Sequence, residues 1–333
     1  MVEPTVSMIV PNYNYSHYVD QALESLLEQS LRSLEVIAID DASTDDSVEH
    51  IRHYTTDPRV RMITHQTNCG HIATYNEGIS LARGAYIGLL SADDYCLDSR
   101  TLDRQVELFT SSKRIGLVYS AHILVEENGH TMTAIPWAND RVACGLDEFR
   151  TLMWSNYIPA SGTLLRRTVH DGVGLYDAHL PHAADWDLWL RTVAHHDAGY
   201  ISQPLWAYRQ HERNMNHRYV SPVQATRELI VVLQKAFASL PKDAPNDIRA
   251  SRRAVFRHAL LQSAWVDLYH GRYGRAWRGV GYALGHRPGI ALSREGAGLL
   301  RHLILDGTVR RGRLRMLKLA RLLTLSANQR RDS

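Results

Sequence analysis

Three cysteines are all that the 333-residue chain carries, and Cys69, Cys96 and Cys144 fall into no CxxC or other metal-ligand spacing. So sparse and odd a set offers no disulfide framework and points to reduced thiols in a cytosolic setting. No window approaches the ~18 apolar residues that a membrane-spanning helix needs. Glu3-Pro4 leads into the first apolar run without the basic stretch of a signal peptide. These absences predict a cytoplasmic chain without a transmembrane helix. The glycine-rich dinucleotide fingerprint GxGxxG is missing, as is the phosphate loop GxxxxGKS or GxxxxGKT, which disfavours NAD and P-loop chemistry.

What is present is ordinary globular composition, 44% hydrophobic and 22% charged. The net charge of +3 hides an asymmetry. Residues 1–220 hold 17 Lys and Arg against 28 Asp and Glu, whereas 221–333 hold 21 against 7. That split, −11 against +14, places a domain boundary near Ser221-Pro222 and the basic surface on the C-terminal part.

Apolar runs Val6–Pro11, Leu34–Ile39, Val60–Thr64 and Tyr86–Leu90 alternate with helical periods such as Val19, Ala22, Leu23, Leu26 and Leu27. Strand–helix alternation at this spacing predicts βαβ units and a mostly parallel, doubly wound α/β sheet. Further strands are expected at Ile115–Val125, Ser161–Leu165 and Tyr200–Tyr208, and helices near 99–111, 145–155 and from Asp185. Polar residues follow three of the strands: Asn12 and Tyr13, Asp40 and Asp41, Asp93 and Asp94. The crevice beyond the carboxyl ends of such strands is where open α/β sheets bind ligands. Adjacent acids there form a hard oxygen site for Mg²⁺ or Mn²⁺, although Asp-Asp also begins turns and caps helices.

Six segments, in order, resemble the family 2 glycosyltransferases, the inverting nucleotide-sugar transferases of GT-A fold. They are Val6–Tyr13, Val36–Asp45, Asn68–Gly78, Gly84–Asp94, Ala184–Arg191 and Tyr208–His211, covering roughly residues 5–215. The resemblance implies a GT-A domain over 1–220, followed by a basic helical region over 221–333. It implies that Pro11 and Tyr13 line the base pocket, with Tyr13 stacking on uracil or a similar base. Asp41 would accept a hydrogen bond from the base, and Asn76 and Asp93 join the donor-binding set. Asp93 and Asp94 occupy the acidic metal motif for Mn²⁺ or Mg²⁺, Asp94 as the principal ligand, and His211 approaches the metal or diphosphate. Asp185 stands at the position of the general base. Two positions depart from the pattern, since Ser91 and Ala184 stand where carboxylates are usual.

The chemistry explains the residue types. Charge developing on a diphosphate is neutralised by a divalent ion, and the attacking hydroxyl needs a base within about 2.6–3.2 Å. Trp186 and Trp189 beside Asp185 are expected to desolvate it and raise its pKa. Each candidate also has a plainer reading: Asp185 as a first-turn helix acid, His211 as a structural histidine, Tyr13 as packing.

Beyond Val223 the pattern is helical, over 223–240, 247–270 and 272–285. A last helix, Val309–Leu325, groups Met316, Leu319, Ala320 and Leu323 opposite Arg310, Arg311, Arg315, Lys318 and Arg321. Such a helix suits either an anionic membrane surface or a bundle with a solvated face. No nucleic-acid-binding motif accompanies the charge. The expected activity is transfer of a sugar from a nucleoside diphosphate sugar, UDP foremost, to a glycan or lipid-linked acceptor in bacterial surface polysaccharide assembly. The alternative is a catalytically weak nucleotide-sugar-binding scaffold.

Overall fold

A computed structural model describes residues 3–135, 139–212, 214, 222–269, 271–286, 289 and 294–308. In chain order the first half runs β1 (Val6–Asn12), α1 (Val19–Leu27), β2 (Leu34–Asp40), α2 (Ser47–Tyr54), β3 (Val60–Thr64), α3 (His71–Leu81), β4 (Tyr86–Leu89) and β5 (Tyr95–Cys96). There follow α4 (Thr101–Ser111), β6 (Ile115–Glu126), β7 (Thr131–Ile135), β8 (Arg141–Ala143), α5 (Gly145–Leu152), β9 (Leu164–Arg166), α6 (Arg167–Val173), α7 (Ala184–Val193) and β10 (Asp197–Gln210). Four helices complete the described chain: α8 (Pro222–Ser239), α9 (Asn246–Tyr269), α10 (Tyr273–His286) and α11 (Arg294–Thr308). The amphipathic helix expected at Val309–Leu325 lies outside the described residues.

The strands form one sheet in the order β3-β2-β1-β4-β9-β6-β10-β5, with β7 added to β6 and β8 to β10. β3, β2, β1 and β4 are mutually parallel, as the alternation of strand and helix predicts. β9 runs antiparallel between β4 and β6, whereas β6 and β10 are parallel partners. This is the expected α/β class. The strands β5, β7 and β8 and the helix α6 are not among the expected elements: β5, β7 and β8 lack the unbroken apolar run that marks β4, and α6 is only seven residues long.

β1 and β2 are buried along almost their whole length, which explains their unbroken apolar runs. α1 covers one face with Val19, Ala22, Leu23 and Leu26, at the three- and four-residue spacing of a helix stripe. These side chains join Met8, Val36, Ala38, Leu90, Phe109 and Trp206 in a single core cluster.

By its contacts the chain divides into two compact units, Met1–Tyr219 with Val232–Arg249, and Val220–Val231 with Ala250–Ser333. A stretch beyond residue 221 therefore belongs to the first unit. There Phe237 packs edge-on against Phe149, and the Lys235 ammonium lies 2.7 Å from Asp177 and 2.9 Å from Asp187. The second unit has a core of its own, made by Leu260, Leu261, Ala264, Leu268, Ala276, Val280, Leu299 and Leu303.

The loops after β1 and β2 are laced together. Ser43 N–H and Oγ–H donate to the two oxygens of Asp40, while Asn14 Oδ1 accepts the Thr44 N–H at 2.8 Å. The lacing holds Ala42 at φ +62°, a left-handed conformation that a Cβ opposes by ~1–2 kcal/mol. Ala42→Gly is therefore expected to stabilise the protein by roughly 0.5–1 kcal/mol after the added freedom of the unfolded chain is deducted. A rise in the urea midpoint checks this; a fall would show that the turn imposes no strain.

Candidate functional site

β4 ends at Leu89, and the chain turns through Ser91–Asp94 before β5. β5 pairs antiparallel with β10, Trp206 opposite Cys96 and Ala207 opposite Tyr95. Continuing that register carries Arg209 to Asp93 and Asp94. The Arg209 N–H donates to Asp94 Oδ1 at 2.9 Å, and its Nε–H to the Asp93 carbonyl at 3.0 Å. The rest of the guanidinium donates to the Glu127 carbonyl and to Gln21 Oε1, so one buried cation joins the acidic turn, the β6–β7 turn and α1.

Asp93 and Asp94 are both buried. Asp93 Oδ2 lies 3.0 Å from His211 Nε2 and accepts from Asn214 Nδ2 at 3.3 Å. Asp93 Oδ1 and Asp94 Oδ2 are buried without a hydrogen-bond partner. Burial, reinforced by the neighbouring Asp93 charge, pushes the Asp94 carboxyl well above the usual carboxylate range. Two orphaned carboxylate oxygens, one on each residue, fit a divalent cation, which would satisfy both. His211 packs against the rings of Tyr15 and Tyr18, with centroids 5.6 and 5.1 Å away.

Asp41, at the end of β2, is embraced by the following segment. Its Oδ1 lies 2.7 Å from His65 Nδ1 and accepts the Cys69 N–H, while Oδ2 accepts the Gly70 N–H at 2.9 Å. The same hydrogen bond raises the His65 pKa against its partial burial. Pro11 lies within β1 opposite Ile39, and Tyr13, just beyond, is exposed. Asn76 engages both faces of its amide with one residue: Nδ2–H donates to the Tyr176 carbonyl at 2.9 Å, and Oδ1 accepts the Tyr176 N–H at 3.1 Å. The structure thus places Asn76 as a brace for the segment that precedes α7.

Asp185 lies in the first turn of α7. Its Oδ2 accepts from Asn156 Nδ2 at 3.0 Å and its Oδ1 from the Trp186 N–H at 2.7 Å, one of the helix's unpaired amides. Desolvation raises its pKa. Trp186 and Trp189 turn into the core, where their indole N–H groups donate to the carbonyls of Leu152 and Ile158. Behind them Asp187, fully buried, receives Arg191 and Lys235. Burial and then the charges of Asp93 and Asp185 push the Tyr75 phenol upward.

Asp93, Asp94, His211 and Tyr15 therefore share one locus, and the charges of both Asp93 and Asp185 act on Tyr75. Arg209, Asn214, Tyr75 and His65 were not singled out from the sequence. Arg209 and Asn214 lay within or beside the recognised Tyr208–His211 segment, which was the available signal.

The raised Asp94 pKa has a consequence for stability. A folded-state pKa above the unfolded value destabilises the fold as pH rises from the ordinary carboxylate range towards the folded value, then levels off. Asp94→Asn is expected to raise the melting temperature at pH 7.5 in chelator and to leave it unchanged near the unfolded carboxylate pKa of ~4. Equal melting at both pH values would contradict the assignment.

The family model "Glycosyl transferase family 2" matches residues 7–174, half of the chain. The chain is 35% identical over 271 residues to hyaluronan synthase of Pasteurella multocida, covering 80% of this chain and 27% of that protein. It is 35% identical over 131 residues to chondroitin synthase of Escherichia coli, covering 39% of this chain and 19% of that protein. It thus spans about a quarter or less of these two relatives. Among solved structures, S. aureus TarS 1-349 in complex with UDP-GlcNAc superposes with a TM-score of 0.70 at 17% identity, covering 92% of this chain and 93% of that one. The mannosyltransferase PcManGT of Pyrobaculum calidifontis, in complex with GDP-Man and Mn²⁺, gives 0.57 at 17% identity, covering 94% and 89%. The family model, matched over half of the chain, shows that this chain belongs to glycosyl transferase family 2.

Proposed function

We propose that the chain transfers a sugar, with inversion, from a UDP-sugar to a hydroxyl of a glycan or lipid-linked acceptor in surface polysaccharide assembly. The observation that carries this reading is the buried Asp93–Asp94 pair at the end of β4, with one unpartnered oxygen on each carboxylate. Asp94, with Asp93, would hold Mn²⁺ or Mg²⁺, which supplies neutralisation of the diphosphate charge. The Mn²⁺ bound by PcManGT and the nucleotide sugar bound by TarS support the assignment.

The protein groups act around that point. Tyr13 offers an exposed ring to the base, with Pro11 beside it and Asp41 accepting from the base edge. Asn76 reaches the donor indirectly, by holding Tyr176. His211 orients Asp93, its imidazole fixed between Tyr15 and Tyr18. Asp185, aligned by Asn156, takes the proton of the attacking hydroxyl on the face opposite the leaving diphosphate.

Nucleotide release from a panel of UDP-, GDP- and dTDP-sugars tests the reading. The wild type is expected to turn over a UDP-sugar in Mn²⁺ and to lose activity on chelation and in Asp94→Ala. Asp185→Asn is expected to lose about 10²–10⁴-fold in kcat, the usual worth of a positioned base. Because desolvation raises the Asp185 pKa, the acid limb of kcat should lie above the ordinary carboxylate range, activity falling as the pH drops through it. An acid limb unchanged in Asp185→Asn would remove the residue from this role.

The basic region 221–333, with its charge of +14, is assigned to an anionic membrane surface, which would place the enzyme peripherally at the cytoplasmic face. Among the described residues no helix is long and apolar enough to cross a membrane. Sedimentation with phosphatidylserine vesicles is expected at low salt and should be lost at high salt. Failure to sediment at low salt would end the membrane assignment.

A further inference from the structure

We propose that Asp41, His65 and Cys69 form a zinc-binding site at the carboxyl end of β2, separate from the Asp93–Asp94 pair. One donor atom from each of the three lies within 4.8 Å of the other two. A carboxylate, an imidazole and a thiol make a borderline-soft set suited to Zn²⁺, whereas Mg²⁺ and Mn²⁺ prefer oxygen alone.

The surrounding bonds are those that prepare ligands for a metal. His65 turns Nδ1 towards Asp41 at 2.7 Å, and its far nitrogen Nε2 is held by Glu77 Oε2 at 2.6 Å. A carboxylate on the far nitrogen fixes the ring and tautomer of a ligating histidine. Asp41 is fixed in turn by the Cys69 and Gly70 N–H groups at 2.7 and 2.9 Å, a doubling-back that Gly70 permits with φ +86°. The Cys69 side chain is exposed and its thiol donates to the nearby Thr67 carbonyl at 3.3 Å, so it is accessible to an incoming ion.

Zn²⁺ would replace the proton shared between Asp41 and His65 and the thiol proton of Cys69, both released to solvent. No oxidation is involved. Three protein ligands leave a fourth position open. Under the proposed function Asp41 meets the nucleobase, and on that reading alone zinc and the donor nucleotide exclude each other at this residue.

The test titrates metal-free full-length protein with Co²⁺ as a spectroscopic stand-in for zinc, following the thiolate-to-cobalt absorption in the near ultraviolet. That band requires a thiolate ligand, which neither Asp93 nor Asp94 supplies. The band is expected in the wild type, in Asp94→Ala and in Cys144→Ser, to disappear in Cys69→Ser, and to be displaced by Zn²⁺. His65→Gln and Glu77→Gln should each weaken cobalt binding at least about ten-fold, the scale of losing a ligand or its supporting carboxylate. Absence of the band in the wild type, or its survival in Cys69→Ser, would overturn the site. Calorimetry of UDP in Mg²⁺ addresses the exclusion: zinc should weaken UDP at least ten-fold in the wild type and not in Cys69→Ser. A cobalt band without any zinc effect on measurable UDP binding would keep the site and overturn the exclusion. Absence of UDP binding at all, with the band intact, would count against the donor reading while leaving the zinc site standing.

Discussion

Arg209 holds together the part of the fold that carries the acidic pair. Its backbone and guanidinium reach Asp94, the Asp93 carbonyl, the Glu127 carbonyl and Gln21, and its charge lies over the rings of Tyr18 and Tyr95 at 5.0 and 5.5 Å. Two adjacent buried carboxylates repel each other, and folding holds them side by side only because a permanent cation and fixed N–H donors oppose that repulsion. A guanidinium suits the position because its planar fork donates in several directions and it stays charged. The antiparallel pairing of β5 with β10 delivers it there.

A second buried ionic group supports the opposite wall. Asp187 receives Arg191 and Lys235, Lys235 also reaches Asp177, and Arg191 donates to the carbonyls of Val173 and Leu175. With Asn76 bound to Tyr176, these contacts fix the segment that leads into α7. Asp185 and Asp187 stand two residues apart on one helix and have different fates. One accepts from Asn156 and has its pKa raised by desolvation; the other is buried and doubly paired. Without such anchoring the first turn of α7, and Asp185 with it, would be free to drift.

The crevice combines strong and weak electrostatic constraints in one place. At the end of β4 Asp93 and Asp94 each keep one unpartnered oxygen and burial opposes ionisation of Asp94, whereas at the end of β2 the Asp41 carboxylate is surrounded by donors. The same residue type thus serves two ends of one sheet edge, and the difference comes from which neighbours supply hydrogen bonds.

The alternating apolar runs by themselves determined the parallel half of the sheet, because strands buried on both faces and helices with one apolar stripe leave unambiguous periods in the chain. The acidic strand ends were visible for the same reason: Asp41, Asp93 and Asp94 stand where apolar runs stop. The short strands β5 and β8 left no such trace, yet β5 is the one that fixes the register of Arg209. Only the tertiary structure decided that Asn76 braces Tyr176, that His65 and Cys69 close on Asp41, and that the Trp186 and Trp189 indoles donate to Leu152 and Ile158 within the core. Those contacts join residues from 24 to 100 positions apart. Local periodicity records which face of an element is buried; it holds no information about which distant partner meets the polar face.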